Sequence, residues 1–161
     1  MSTIKKQNAD SEEIIQLVSF KIGKEEFGVD IHKVQEINRM MKLTEIPNSP
    51  DFVDGVINLR GRVIPVVDLR SRLFIKRSEH NSNTRIIVVE LNSNIVGFIV
   101  DEVSEVLRIP SSIIEPPPTF AGGRNSEFIS AVGKLEERLL ILLDLEKIFN
   151  IKENKSLRNV A

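Results

Sequence analysis

The chain has 161 residues, 22 basic and 23 acidic side chains, a net charge of -1, and no Cys, Trp or Tyr. The missing cysteines exclude disulfide scaffolds, zinc fingers, iron–sulfur clusters and thiol catalysis, and two histidines, His32 and His80, cannot make a three-His metal site. A near-neutral charge argues against bulk phosphate binding, while 21 Ile and 16 Val beside 5% aromatics predict an aliphatic, strand-rich core.

The start, MSTIKKQNADSEE, is polar and holds no apolar run of signal-peptide length. Residues 1–13 and 151–161 are expected to be flexible tails. Strands are expected over 16–22 and 27–31, around a polar turn at Gly23-Lys24-Glu25; Phe27, Val29 and Ile31 alternate with Gly28 and Asp30, so one face is buried. Residues 32–36 bend into the next strand. Strands 56–59 and 62–67 flank Arg60-Gly61, and Pro65, which has no N–H to donate, places its strand at an edge or a barrel opening. Asp68 is placed to cap a short helix carrying Leu69, Leu73 and Phe74.

The second half repeats the first. Residues 16–37, QLVSFKIGKEEFGVDIHKVQEI, align without a gap on 85–106, RIIVVELNSNIVGFIVDEVSEV, matching Gly28 to Gly97, Val34 to Val103 and Glu36 to Glu105. After an insertion around Pro117–Gly123, RVIPVVDL at 62–69 matches RLLILLDL at 138–145, with Asp144 as the second helix cap. An internal duplication of short strands, too few per half for a sandwich, predicts an all-β protein of two tandem five-stranded barrels packed together, with short helices after the closing strands. The boundary is set at 14–80 and 81–150. The longest aliphatic stretch, Leu139–Leu143, is far below the roughly 18–20 residues of a membrane helix, so no membrane insertion and a cytoplasmic location are expected.

Catalytic patterns fail. GVINLRG at 55–61 lacks the Lys-Ser/Thr of a phosphate loop, no nucleophile completes a triad with Asp30 and His32, and Asp68 and Asp144 read as caps rather than an acid–base pair. No cofactor or metal is expected, and no enzyme activity. Arg60, Arg62, Arg70, Arg72, Lys76 and Arg77 crowd one segment, which admits a nucleic-acid groove as the competing reading. Against it, no Trp or Tyr offers a stacking platform. Arg70, Arg72, Lys76 and Arg77 are read as a solvated helix face. Arg60, in a tight turn between apolar strands, is the one suited to anchor a protein interface. Val34, Ile37, Val103 and Val106 occupy repeat-related positions that could line a groove between the barrels or, for at least two of them, be simple core. The run PPPTFAGG at 116–123 presents a lone Phe120 in the manner of a docking loop.

The stretches GVINLRGRVIPVVDLR at 55–70 and EFGVDIHKVQEI at 26–37 strongly resemble the CheW-like domain family over roughly residues 15–150. The resemblance implies two SH3-like barrels without catalysis, in an adaptor joining the regulatory domain of the histidine kinase CheA to the cytoplasmic hairpin tip of chemoreceptors. By matching motif it implies receptor-binding positions at Val34, Glu36, Gly55, Arg60 and Val106, and kinase or ring contacts at Phe120 and Glu115. Some relatives carry a basic residue in place of Glu115. The chain would be monomeric in isolation, a member of membrane receptor arrays when assembled, and serve either chemotaxis or another receptor–kinase pathway.

Overall fold

The structure, a computed structural model, describes residues 13–48, 53–73, 79–117 and 128–150. Eleven strands run in the order β1 (Ile14–Ile22), β2 (Glu25–Asp30), β3 (Val34–Arg39), β4 (Val53–Leu59), β5 (Arg62–Asp68), β6 (Arg85–Leu91), β7 (Asn94–Val100), β8 (Glu102–Pro110), β9 (Ile114–Glu115), β10 (Ile129–Leu135) and β11 (Arg138–Leu143). Two short helices, α1 (Leu69–Arg72) and α2 (Leu145–Asn150), follow β5 and β11. The expected tails, and Phe74, Lys76, Arg77 and Phe120, lie outside the described residues.

The strands form two antiparallel-rich sheets, β8-β1-β2-β11-β10-β9 and β3-β6-β7-β5-β4. Each sheet curls into an SH3-like barrel by the same device. β8 and β9, at opposite edges of the first sheet, are one continuous chain joined by a 3-10 turn at Ser111–Ile113. In the second, the chain leaving β3 crosses to the far edge, where Thr44 and Val56 exchange both backbone hydrogen bonds at 2.9 Å. Closure removes most of the free edge.

The membership of the sheets corrects the boundary expected at residue 80. Hairpin β1–β2 belongs to the sheet of β8–β11, and hairpin β6–β7 to the sheet of β3–β5. The two halves have exchanged their first hairpins. The exchange preserves the duplication in full register: Val18 pairs with Val106 as Ile87 pairs with Ile37, and Leu142 meets Gly28 in a parallel ladder as Val66 meets Gly97. Pro65 sits just before that parallel register begins at Val66, where its missing N–H costs the ladder little.

Strand alternation assigns the cores. Ile86 and Val88 point into one barrel with Ile57, Ile64, Val66 and Ile99, whereas the intervening Ile87 and Val89 point out of it. Leu17, Ile109, Leu140 and Leu142 fill the other barrel. The outward set from both sheets meets in a central cluster that includes Val18, Phe20, Phe98, Leu145 and Phe149. That cluster has 20 buried members among the described residues, against 6 and 4 for the barrel interiors. Most of the apolar burial therefore lies between the sheets, so neither barrel is a separable domain.

Turn chemistry holds the hairpins in register. The β1–β2 turn is two residues long rather than three, since Glu25 already pairs with Ile22 and only Gly23-Lys24 intervene, with Gly23 at φ 62°. At the end of β5, Asp68 accepts a hydrogen bond from the Arg70 amide at 2.9 Å, the expected cap. Arg70 itself is not solvated. Its side chain is 1% exposed, gripped by both oxygens of Asp68 (2.9 and 2.8 Å) and by Asp101 (3.1 Å), whose other oxygen accepts from the Gly23 amide at 2.7 Å. The expectation of a solvated arginine fails because two carboxylates, one contributed by the β7–β8 junction, compensate its burial. Arg72 also leaves the solvated set: its guanidinium lies 5.9 Å from the Phe128 ring centroid.

Candidate functional site

The β4–β5 turn is built for display. Leu59 pairs with Arg62, leaving Arg60 and Gly61 as a two-residue loop with φ values of 53° and 83°. Left-handed backbone at both positions is the type I′ pattern that matches strand twist. Arg60 holds it despite a Cβ, at a cost of roughly 1–2 kcal/mol. Asn58 steadies the loop by accepting from the Gly61 amide at 2.9 Å. The Arg60 side chain, 74% exposed, reaches across to β3 and donates two hydrogen bonds to Glu36, at 2.5 and 3.2 Å. Asn38 donates a third to the same carboxylate at 2.9 Å. Arg60 first, then Asn38, holds the Glu36 carboxyl below its ordinary range, while Glu36 raises the arginine further.

Pseudo-symmetry does not extend to this pair. Glu105 matches Glu36, but the turn matching Arg60-Gly61 is Glu136-Glu137, and Glu105 pairs instead with Arg138 at 3.4 Å. One of the two related surfaces thus carries a forked, exposed guanidinium on a carboxylate, and the other reverses the charge at its turn. The two related surfaces are therefore chemically distinct.

The apolar part of the site depends on a bulge. The β3–β6 register shifts between Val34 and Glu36, so Val34 pairs with Val89 and Ile37 with Ile87. Both partners face the central cluster. Without the bulge, Val34 and Ile37, three residues apart, would point to opposite faces. The same shift recurs in β1–β8, where Phe20 pairs with Val103 and Val18 with Val106. The four repeat-related residues therefore line the outward faces of both barrels where these meet. Val34 and Val103 pack against the central cluster, and Ile37 (39% exposed) and Val106 (52% exposed) stand clear of it. Glu36, on the other parity, is left free to meet Arg60.

Gly55 contributes differently. It is buried on β4, and a Cβ there would lie 2.9 Å from the Thr44 carbonyl oxygen and 3.0 Å from the Leu43 Cβ. Its position demands the absence of a side chain so that residues 43–44 can close the barrel behind the Arg60 turn. Glu115, exposed on β9, pairs with Lys134 at 3.1 Å. His32 lies in the 3-10 turn Ile31–Lys33, its Nδ1 2.9 Å from Asp30, and His80 is exposed. Among the described residues no three His, Asp or Glu side chains are grouped to hold a metal ion, and no helix is long and apolar enough to cross a membrane.

Sequence reasoning missed Asn38 and Asn58, which orient Glu36 and the turn, and the burial of Arg70. An Asn two residues before a left-handed turn was a readable signal. Nothing local distinguishes Arg70 from Arg72, because Asp101 approaches it only in the folded chain.

Three comparisons bear on the site. The family model for the CheW-like domain matches residues 16–153. The chain is 41% identical to the chemotaxis protein CheW of Klebsiella aerogenes over 146 residues, covering 91% of this chain and 88% of that one. It is 37% identical to the chemotaxis protein CheW of Helicobacter pylori over 140 residues, covering 86% and 84%. The crystal structure of the scaffolding protein TtCheW from Thermoanaerobacter tengcongensis superposes with a TM-score of 0.80 at 35% identity, covering 88% of this chain and 96% of that one.

Proposed function

We infer the role of this chain from its membership: it belongs to the CheW-like domain family, and it is a non-catalytic chemotaxis scaffold that couples receptors to the kinase CheA. Its output is geometric. Holding kinase and receptor at set relative positions lets a receptor state bias the populations of active and inactive kinase.

The finer reading assigns surfaces to partners. The receptor's helical hairpin tip is proposed to dock along the groove where the barrels meet, burying apolar side chains against Val34, Ile37 and Val106 while Arg60 and Glu36 set polar register. The observation that carries this is the paired bulge, which turns two apolar residues of each repeat toward one shared face beside an exposed guanidinium. Gly55 takes part by positioning the Arg60 turn. Glu115 and Phe120 are proposed as the contact to the kinase's regulatory domain, or to a further scaffold in a ring. Recruitment to receptor arrays would then bring a chain that is monomeric in isolation to the membrane. Nothing observed favours nucleic-acid binding or a different receptor–kinase pathway.

Co-sedimentation of the chain with a receptor signalling fragment and CheA, read out by kinase activity, tests this. Receptor-dependent kinase activation that requires the chain is expected. Activation without it, or no ternary complex, overturns the reading.

A further inference from the structure

The duplication makes each half a control for the other, and at one place the two differ in a way that points to a ligand. After β5, Arg70 is buried and paired with Asp68 and Asp101, and Val66, Ile86, Phe98 and Ile99 of the same half are all at most 1% exposed. Among the described residues the matching place after β11 is open. A cleft of about 280 Å³ lies there, floored by Leu17, Val29 and Leu142 and rimmed by Asp30, Lys33, Asp144 and Glu146.

Several residues that line it differ in size or charge from their counterparts in the other repeat. Val29 stands where the other half has Phe98, Asp30 where it has Ile99, and Glu146 where it has Arg70. The feature that survives is the carboxylate. Asp144 matches Asp68 and still caps its helix, accepting from the Lys147 amide at 3.1 Å. Glu146 turns instead to Lys33. Three carboxylates thus surround a hollow that holds one ammonium, over an apolar floor suited to the methylenes of a long side chain. In the first half the equivalent carboxylate binds a guanidinium through two oxygens.

We propose that this cleft is a docking site for an arginine presented by a partner protein. The molecule displays the bound geometry internally, with Arg70 on Asp68 as the template for the partner's arginine on Asp144. Arginine fits better than lysine because its planar fork matches a carboxylate edge bidentately. The surface lies on β2, β11 and α2, whereas the proposed receptor site is on β3, β8 and the β4–β5 turn, so the inference stands independently of that assignment.

The test uses the full-length chain, titrated with N-acetyl-arginine amide and, separately, with its neutral isostere N-acetyl-citrulline amide, followed by amide NMR shifts. Saturable shifts confined to Ser130, Asp144, Glu146 and their neighbours are expected for arginine and not for citrulline. Glu146→Arg, which rebuilds the Arg70 arrangement on Asp144, should abolish them. Asp144→Asn, which keeps the helix cap, should weaken binding about tenfold or more and serves if Glu146→Arg does not fold. Shifts that fail to saturate, that citrulline reproduces, or that survive the variants overturn the proposal. If Lys152, Lys155 and Arg158 replaced together by Gln tighten arginine binding at least tenfold, the chain's own C-terminal residues are the occupant and the partner assignment falls.

Discussion

Glu36 on β3 and Arg60 in the β4–β5 turn, 24 residues apart in the chain, are joined by two hydrogen bonds of 2.5 and 3.2 Å. The pair is exposed at the arginine and backed by Asn38 at the carboxylate, which suits it to partner contact more than to stability. Arg60→Ala is therefore expected to leave the denaturation midpoint nearly unchanged and to weaken receptor recruitment about thirtyfold, the equivalent of ~2 kcal/mol for an interface hot spot. Arg60→Gly separates the effects further. Relieving the left-handed strain at φ 53° should raise stability slightly while recruitment still falls. Pull-down with a receptor fragment beside urea denaturation reads both.

The same pair predicts a titration. Arg60, then Asn38, lowers the Glu36 pKa, so its interaction persists above the ordinary carboxylate range and is lost only as pH falls through the lowered value. Carboxyl NMR should find Glu36 titrating below the ordinary glutamate range. Arg60→Ala should move it upward, and Asn38→Ala by a smaller step.

Exposure separates the four repeat-related apolar residues. Val106→Asp and Ile37→Asp, at positions 52% and 39% exposed, should fold normally and fail in receptor co-sedimentation. Val103→Asp, set against the central cluster, should instead cost about 1–3 kcal/mol in stability. Equal unfolding by all three would show the groove to be core throughout.

The two repeat-related glycines are not equally replaceable. A Cβ at Gly97 would lie 2.8 Å from Ile86 Cγ2, a branched methyl with little freedom, whereas at Gly28 it would meet the mobile Leu142 Cδ2 at 3.1 Å. Gly97→Ala should destabilise by about 1–3 kcal/mol and Gly28→Ala by less, as read from denaturant midpoints.

Arg70 binds three segments together: its own helix cap, the β7–β8 junction and, through Asp101, the turn of the exchanged hairpin. Arg70→Met removes the guanidinium that both oxygens of the buried Asp68 carboxylate accept from, and should cost about 3–5 kcal/mol. Adding Asp68→Asn should recover part of that loss, giving a double variant more stable than the sum of the singles predicts.

Periodicity and the repeat were enough to read the all-β architecture, the strand pairs and both aspartate caps, because these follow from alternation, turn residues and short-range hydrogen bonds. The exposure of Arg60 was visible for the same reason: a turn between apolar strands leaves its middle residue nowhere to go but outward. Bulges were not legible, since Gln35 and Ser104 look like ordinary strand residues, and with them went the facing of Val34 with Ile37. Nor could the order of residues reveal that Gly55 closes against Thr44.

By itself, then, the sequence determined that this protein is a duplicated, aliphatic, cysteine-free β structure with contact rather than catalysis as its chemistry. Only the tertiary structure decided how the two copies combine. Each repeat lends its first hairpin to the other's barrel, a choice invisible to local pattern because a hairpin satisfies its own ladder equally well in either sheet. The largest core forms from the outward faces that this exchange brings together, and the exchanged hairpin's Gly23 meets Asp101, which grips Arg70. The cleft in the other half is lined by side chains that differ from their repeat counterparts, brought together only by the fold.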